Sequence, residues 1–476
     1  MNQVLHQESN RQLHTVVVGA GMVGLAVAHR LSQAGHRVTV LERAEALGGL
    51  TASHSVGPVT WDQHYHVTLA SDSVWRAILS DIGLDDQVVW KTTRTACLAD
   101  GTLLPVSSPA EFLRFTPLTL VQRVRLGATL AWATQVRNGR ALEQVGVEPW
   151  LRKLSGDSAF DRFWKPLLRA KLGGAYNQAS AAFIWATAQR LGKARKNGLD
   201  AEKFGYVPGG YARIVNTFVD HLRTNGVVFQ TGVNIQGVTT RTVVLADGTS
   251  IDADNIVVTT SSHTASRLVP ALSDRERDLL TSIVYQGVID VSVVLPKPLC
   301  PYYLTYLLDE TILTGIVDMS SLVDPQELDG HGLVYLPRYS APDDPMFDWS
   351  DDRIVDAFID ALATAYPSFD RSTIVATKVA RVREVFSVPT LGYSDRVSPF
   401  STTVPGVWIA NGSQIVNGTL NVDESVQLAE RAVAEMLRAQ RRAERRPQVA
   451  DTGGSSHSDH VSAPRDSVAA LTKEPA

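Results

Sequence analysis

Residues 15–43 read TVVVGAGMVGLAVAHRLSQAGHRVTVLER, and this stretch decides the fold. Residues 16–18 predict an apolar strand, a helical run ends at Ala34, and residues 37–41 predict a second strand. The turn between the first strand and the helix reads GAGMVG, which has the spacing G-x-G-x-x-G. A strand, a glycine-rich turn, a helix and a second strand in this order indicate a βαβ unit that binds a dinucleotide. The alternative is a glycine-rich turn that binds no ligand.

Three glycines and one acid in this stretch have separate expected roles. Gly19 permits the tight turn, Gly21 lets the backbone approach a pyrophosphate, and Gly24 lets the helix pack closely on the strand. The helix N-terminus adds N–H donors and the positive end of its dipole for the phosphates. Glu42 follows the second strand, about 20 residues on, where a carboxylate accepts hydrogen bonds from ribose hydroxyls and repels a 2′-phosphate.

The composition is that of an ordinary soluble globular protein. The chain has 476 residues, enough for two or three domains, and its net charge of −4 gives no reason to expect a nucleic-acid partner. Cys97 and Cys300 form no CxxC pair, so we expect a reduced, cytosolic setting. The first 14 residues lack the apolar segment of a signal peptide, and no apolar run reaches 18 residues. We therefore expect a cytoplasmic protein without a transmembrane segment.

Two stretches stand apart from the dinucleotide unit. Residues 81–195 have a mostly helical pattern, and within them residues 118–136 are apolar but are interrupted by Arg123 and Arg125. One interpretation is an amphipathic helix that packs on its own domain, and the other is a surface that contacts a membrane or a lipid-like substrate. Residues 439–476 are poor in aromatic residues and predict a disordered tail.

Strand patterns return from residue 227 onward. Asp247 and Gly248 predict a hairpin turn, and an apolar strand is expected at residues 256–259. The later elements are expected to be strands at 283–295 and 302–316, a helix at 351–366, and a strand that begins at 406. Asn421 is expected to cap a last helix. The core-facing residues of that helix would be Val426, Ala429, Val433 and Leu437.

A second glycine motif follows the first βαβ unit. Residues 47–51 read LGGLT and come shortly after Arg43. This motif resembles the superfamily of flavin enzymes that contains amine oxidases, protoporphyrinogen oxidases and phytoene desaturases. The resemblance implies that FAD is the cofactor, that Gly48 and Gly49 let backbone run against its diphosphate, and that Arg43 helps to hold it. Many members have arginine after the glycine pair, where this chain has Leu50.

Three further stretches are similar to the same superfamily. Residues 204–233 look like its return strand, where the backbone of Val233 would hold the adenine edge. Residues 163–176 look like a substrate-domain stretch of protoporphyrinogen-oxidase-like members. Residues 407–425 resemble the C-terminal flavin segment, whose helix N-terminus would stabilise negative charge on a reduced flavin. The residues that would face the flavin there are Gly412, Asn421 and Val422.

The resemblance implies an α/β protein: a Rossmann-like FAD-binding domain, containing the GxGxxG βαβ unit, with an inserted α+β substrate domain. The expected ranges are 12–70, 200–270 and 395–438 for the FAD-binding domain, 71–199 and 271–394 for the substrate domain, and 439–476 for the tail. No second GxGxxG unit is present for a pyridine nucleotide. This argues against a monooxygenase with its own NAD(P)H domain.

Residues 61–66, WDQHYH, are the candidates for catalysis, because the family brings this segment near the flavin. The candidate residues are His64, Tyr65 and His66. Alternate residues of an extended chain point to one side, and histidine titrates near neutrality. The alternative role is a hydrogen-bonded loop around the cofactor. No third metal ligand is visible beside the histidines, so we expect no metal.

Other polar residues are candidates for binding the substrate. Lys165, Arg169 and Lys171 lie beside aromatic residues and predict either an anchor for an anionic group or a solvated helix face. Tyr393 is a further substrate candidate. By resemblance, Asp290 occupies the place of a lysine that amine oxidases have near the flavin, which argues against ordinary amine oxidation.

We therefore expect a FAD-dependent oxidoreductase that transfers hydride from a biosynthetic, hydrophobic small-molecule substrate to flavin. Dioxygen or another acceptor would take the electrons. Non-redox flavin chemistry, of the mutase or dehydroxylase type, is one alternative, and a flavin-free binding protein on the same fold is another. Peripheral membrane contact is left open by the two interpretations of residues 118–136.

Overall fold

The computed structural model describes residues 12–193 and 203–444. The chain forms two compact units, Met1–Met436 and Leu437–Ala476, and the boundary falls within the last helix. That helix runs to Glu444, so the predicted tail was wrong for residues 439–444. The rest of the predicted tail, 445–476, lies outside the described residues.

The described residues contain helices and strands throughout. The strands are β1 (His14–Val18), β2 (Arg37–Leu41), β3 (Ser53–Val56), β4 (Val59–Asp62), β5 (Thr68–Leu69), β6 (Val89–Thr92), β7 (Thr95–Ala99), β8 (Thr102–Pro105), β9 (Lys203–Tyr206), β10 (Val228–Gln230), β11 (Ile235–Val238), β12 (Thr242–Leu245), β13 (Ser250–Asp252), β14 (Asn255–Val258), β15 (Tyr285–Leu295), β16 (Leu304–Leu307), β17 (Gly315–Asp318), β18 (Gly332–Ser340), β19 (Ala376–Ser387) and β20 (Val407–Ile409). The α-helices are Met22–Gln33, Ser73–Asp81, Pro109–Phe112, Leu120–Gln135, Val147–Ser155, Asp157–Ala159, Lys165–Leu172, Ala182–Lys193, Gly210–Thr224, Ser262–Leu268, Asp274–Thr281, Asp351–Ala365 and Val422–Glu444.

The first large sheet has the predicted dinucleotide-binding architecture. Its strands run in the order β10-β2-β1-β14-β20 and all pairs are parallel. The helix Met22–Gln33 connects β1 to β2 and buries Leu25 and Leu31 completely. The carboxyl ends of parallel strands lie at one edge of a sheet. The glycine turn and Glu42 therefore lie at that edge, which confirms the Rossmann-like prediction.

The second large sheet has seven strands in the order β19-β15-β18-β17-β16-β7-β8. The strand β15, second in this order, is buried at every residue. Odd-numbered residues of β15, such as Ile289 and Val291, pack against the helix Asp351–Ala365 through Phe358. Because side chains alternate along a strand, the even-numbered residues, among them Asp290, lie on the opposite face.

The helical prediction for residues 81–195 was wrong at β6, β7 and β8. β7 pairs in parallel with β16, so that Cys97 lies opposite Tyr306. That partner is distant in sequence, and local periodicity did not show it. The single strand expected at 302–316 is two strands, β16 and β17, which pair antiparallel.

Several local predictions are confirmed. β12 and β13 form the predicted hairpin, and Gly248 in its turn has φ +86°. Asn421 caps the last helix by accepting the backbone N–H of Glu424 at 3.0 Å. Val426, Ala429 and Val433 are buried on that helix. The helix at 351–366 is Asp351–Ala365.

Candidate active site

The glycine turn after β1 is tight because its backbone packs on itself. Gly19 has φ +105°, a conformation that favours glycine. A Cβ atom on Gly24 would lie 2.0 Å from the carbonyl oxygen of Gly19, so only glycine fits there. A Cβ atom on Gly21 would meet no atom within 4 Å and would project into the space beside the helix N-terminus. The geometry of Gly19 and Gly24 is that of a tight turn and of close helix packing. The phosphate contact at Gly21 stays a prediction.

The double glycine lies directly against this turn. The N–H of Gly48 donates to the carbonyl of Ala20 at 2.9 Å, and Gly48 forms a parallel bridge with Gly21. Gly48 and Gly49 have φ of +107° and +60°. A Cβ atom on Gly49 would lie 3.0 Å from the Cα atom of Gly21. The two glycine turns thus form a backbone cradle without side chains, which fits the diphosphate of FAD.

Glu42 is fixed at the end of β2. Its carboxylate accepts the N–H of Ala20 at 2.8 Å and the N–H of Ala44 at 2.9 Å. Its carbonyl accepts the N–H of Val233 at 3.0 Å, so the return strand ends beside it. The carboxylate of Glu42 is thus held next to the glycine turns, and its contact with a ribose stays a prediction.

The C-terminal segment continues the same sheet edge beyond β20. Asn411 caps the short turn Gly412–Gln414 and accepts the N–H of Ser413 at 3.1 Å. The last helix begins at Val422 behind its cap Asn421. Both turns therefore present helical N-termini after a strand of the dinucleotide sheet.

A buried histidine–aspartate pair joins the loop after β4 to β15. Nδ1 of His64 lies 3.3 Å from Oδ2 of Asp290 on β15. Among the described residues, Nε2 of His64 and Oδ1 of Asp290 have no hydrogen-bond partner. Burial raises the pKa of Asp290, and the contact with His64 opposes part of that rise. The N–H of Gln63 donates to the carbonyl of Ala52 at 2.9 Å, which ties this loop to the glycine turn.

Tyr65, in the same loop, belongs to a second polar cluster. Its hydroxyl lies 3.3 Å from that of Tyr339 on β18. Nζ of Lys171 lies 3.6 Å from the centre of the Tyr339 ring. Burial raises the pKa of Tyr339 to about 12, so this phenol is neutral at physiological pH.

His66 is the third predicted catalytic residue, and its surroundings are different. Nδ1 of its ring contacts the carbonyl oxygen of His64 at 2.8 Å, and the ring packs on Tyr211 with centroids 5.0 Å apart. Burial and, to a smaller extent, the neighbouring His64 lower the pKa of His66 to about 4. The imidazole of His66 is therefore neutral near pH 7.

This low pKa predicts that His66 destabilises the fold in acid. The folded state takes up the proton only near pH 4, whereas the unfolded chain takes it up near pH 6.5, so stability falls as pH falls between these values. We expect the free energy of unfolding that is lost between pH 7 and pH 4 to be smaller in His66→Asn than in wild type, by up to about 3 kcal/mol. The measurement is the free energy of unfolding of both proteins from pH 7 to pH 4.

His331→Asn is the matched control, because the ring of His331 makes the same 2.8 Å contact with the carbonyl two residues earlier, at an exposed site. The control should leave the pH dependence near that of wild type. An unchanged pH slope in His66→Asn would show that this ring is not buried as described.

The other predicted residues are not all brought together. Arg43 and Arg169 are exposed, and Lys165 is partly buried. Tyr393 is buried and its hydroxyl donates to the carbonyl of Ser413 at 2.6 Å. Lys171 lies against Tyr339, which contacts Tyr65 of the His64 loop. Their binding roles stay predictions.

Sequence reasoning did not single out Asp62, although it lies within residues 61–66, at the end of β4. Burial raises the pKa of Asp62 to about 7, although the N–H of Tyr211 donates to it at 2.7 Å. This contact caps the helix Gly210–Thr224. Sequence reasoning also missed Tyr339. The alternation of side chains along β18 was the only signal in the sequence that could have indicated it.

The glycine cradle, the fixed carboxylate of Glu42 and the parallel sheet fit a FAD-dependent oxidoreductase of the α/β class. A model of the family described as flavin containing amine oxidoreductase matches residues 22–437, and the chain belongs to this family.

Relatives and a solved structure agree with this assignment. Protoporphyrinogen oxidase 1, chloroplastic, of Arabidopsis thaliana is 26% identical over 319 residues, which cover 59% of this chain and 59% of that protein. Coproporphyrinogen III oxidase of Propionibacterium freudenreichii subsp. freudenreichii is 23% identical, over 84% of this chain and 87% of that protein. A putative protoporphyrinogen oxidase from Exiguobacterium sp. 255-15 has the same fold, with a TM-score of 0.72 and 18% identity, over 90% of this chain and 100% of that one.

Proposed function

We propose that the protein is a FAD-dependent oxidase or desaturase that oxidises a hydrophobic, biosynthetic organic substrate. The observation that carries this proposal is the buried His64–Asp290 pair, tied by the backbone to the FAD cradle. Nε2 of His64 has no protein partner among the described residues, so it is the atom placed to receive a proton from substrate. The carboxylate of Asp290 would orient the ring and stabilise the imidazolium that forms.

FAD, when bound, supplies the acceptor for the two electrons. The residues that would hold it are Gly19, Gly21, Gly24, Glu42, Arg43, Gly48, Gly49, Val233, Gly412, Asn421 and Val422. The substrate domain would comprise 71–199 and 271–394, with β15 as its innermost strand. Dioxygen or another acceptor would reoxidise the enzyme, and a cytoplasmic location fits the two free cysteines.

The relatives guide the choice of test substrates. Their names point to porphyrinogens, which are large macrocycles with hydrophobic pyrrole rings and carboxylate side chains, rather than to a simple amine. The experiment is anaerobic mixing of purified holoenzyme with protoporphyrinogen, coproporphyrinogen III or putrescine, followed by flavin absorbance. Bleaching by a porphyrinogen and not by putrescine is expected. A protein that binds no flavin, or one that turns over substrate only after pre-reduction and without net electron consumption, would replace this proposal.

We also propose that one helix contacts the membrane surface. Leu120–Gln135 buries only Leu126, Thr129 and Ala133, and it exposes Val121 by 70% and Val124 by 58%. Residues 112–142 around it contain five arginines and no Asp or Glu. Arg140 pairs with Asp395 at 2.9 Å, and the other four arginines have no ion pair among the described residues. An apolar face beside this positive charge fits an anionic lipid surface. In the described residues no helix is both long and apolar enough to cross a bilayer.

Vesicle sedimentation tests this surface. We expect the protein to bind vesicles containing phosphatidylglycerol, to bind phosphatidylcholine vesicles at least tenfold more weakly, and to be released by salt. The double substitution Val121→Ser, Val124→Ser should abolish binding. Val375→Ser, an exposed valine elsewhere, should leave it unchanged. Equal loss in the control, or binding that does not depend on lipid charge, would contradict the proposal.

A further inference from the structure

The last turn of the helix Lys165–Leu172 carries a lysine that points inward. Nζ of Lys171 lies 3.6 Å from the centre of the Tyr339 ring and 5.9 Å from that of Phe386. The two tyrosine hydroxyls nearby, of Tyr65 and Tyr339, lie 3.3 Å apart. The ammonium group therefore has an aromatic wall on two sides and phenol hydroxyls beside it.

This ammonium group is not neutralised by the protein. Among the described residues, no carboxylate lies within ion-pair distance of Lys171, whereas Arg152 in the same helical region pairs with Glu148 and Asp161. Burial lowers the pKa of Lys171, which shows that its charge is incompletely solvated. A partly buried cation without an anion is costly, and an anionic ligand would offset part of that cost.

The ring that Lys171 contacts lies near the histidine–aspartate pair in the sheet. Asp290 lies opposite Pro337, and Val288 lies opposite Tyr339, in the β15–β18 pairing. Opposite residues share a face, and residues two apart on one strand do as well, so Asp290 and Tyr339 lie on the same face of the sheet. Two residues along a strand correspond to about 7 Å.

We propose that Lys171, with the hydroxyls of Tyr65 and Tyr339, binds a carboxylate of the substrate. This rests on the proposed function, because it assigns the substrate class of the same site. The substrate is then an apolar organic acid whose carboxylate lies one strand step from the His64–Asp290 pair. Lys171 anchors the molecule and takes no part in the chemistry.

The test is titration of the holoenzyme with benzoate, and with benzamide as the uncharged probe. Binding is measured by calorimetry and by the change in flavin absorbance. Benzoate should bind saturably and benzamide at least tenfold more weakly. Lys171→Met should weaken benzoate at least tenfold, and Lys171→Arg should restore most of the affinity. Lys153→Met, at an exposed lysine on the neighbouring helix Val147–Ser155, should bind benzoate as wild type does. Benzoate affinity should also fall at alkaline pH, as the ammonium of Lys171 loses its proton, and not in Lys171→Met.

Calorimetry separates this proposal from the proposed function. Protein that carries flavin but binds benzoate equally well with and without Lys171 overturns the anchor alone. Purified protein that binds no flavin overturns the proposed function, and calorimetry then still measures the affinity of the flavin-free protein for benzoate. If Lys171→Met does not fold, Tyr339→Phe keeps the aromatic wall and removes one hydroxyl. It should weaken benzoate several-fold, and unchanged affinity in that variant would overturn the proposal.

Discussion

Gly21→Val should yield a folded protein without FAD. Gly21 has φ −70° and ψ 175°, an extended conformation that valine adopts readily, and a Cβ atom there meets no protein atom within 4 Å. The added side chain would instead occupy the cradle that faces the diphosphate. We expect FAD affinity to fall at least 100-fold, with little change in the free energy of unfolding of the apoprotein. The measurements are the flavin-to-protein ratio and the unfolding temperature with and without added FAD.

Gly24→Ala is the informative comparison for this variant. Its Cβ atom would lie 2.0 Å from the carbonyl oxygen of Gly19, inside the same turn. We expect it to destabilise the apoprotein itself by about 3 kcal/mol, because the helix must move away from β1. FAD should raise the unfolding temperature of wild type by mass action and leave that of Gly21→Val unchanged. Normal flavin content in Gly21→Val would mean that the diphosphate does not lie at this turn.

His64→Gln and Asp290→Asn should each slow flavin reduction by substrate by a factor of about 100 to 10,000. The first removes the proton acceptor, and the second removes the charge that orients it and stabilises its protonated form. The double variant should be little slower than either single one, because the two residues act as a unit. The measurement is the anaerobic reduction rate with whichever porphyrinogen bleaches the flavin, from pH 5 to pH 9.

The control for this pair is His54 on β3. Its ring nitrogen Nε2 contacts the hydroxyl of Ser292 at 3.1 Å, and Ser292 lies two residues after Asp290 on β15. His54→Gln therefore perturbs a neighbouring histidine on the same face of β15. We expect its reduction rate to stay within a few-fold of wild type. Because Asp290 is a positioning residue, Asp290→Asn should also shift the pH profile of the rate while flavin content is unchanged. A wild-type rate in His64→Gln would exclude His64 as the proton acceptor.

The cofactor site was predictable because its signal is local. Gly19, Gly21, Gly24 and Glu42 lie within one strand–helix–strand unit, and the backbone conformations that they require are properties of glycine itself. The N-cap Asn421 and the hairpin at Gly248 were found for the same reason. The role of the double glycine was predicted from resemblance. The structure shows why a side chain would be unfavourable there: a Cβ atom on Gly49 would lie 3.0 Å from the Cα atom of Gly21.

The sequence alone determined that this chain has a βαβ dinucleotide-binding unit and that residues 61–66 contain two histidines and a tyrosine. Only the tertiary structure decided which histidine is paired, since Asp290 lies 226 residues from His64. It also separated Lys171 from Arg169, which are two residues apart on one helix but face the tyrosines and the solvent respectively. Pairings of this kind depend on which strands become neighbours in a sheet, and strand neighbours are chosen by burial of the whole core rather than by any local pattern.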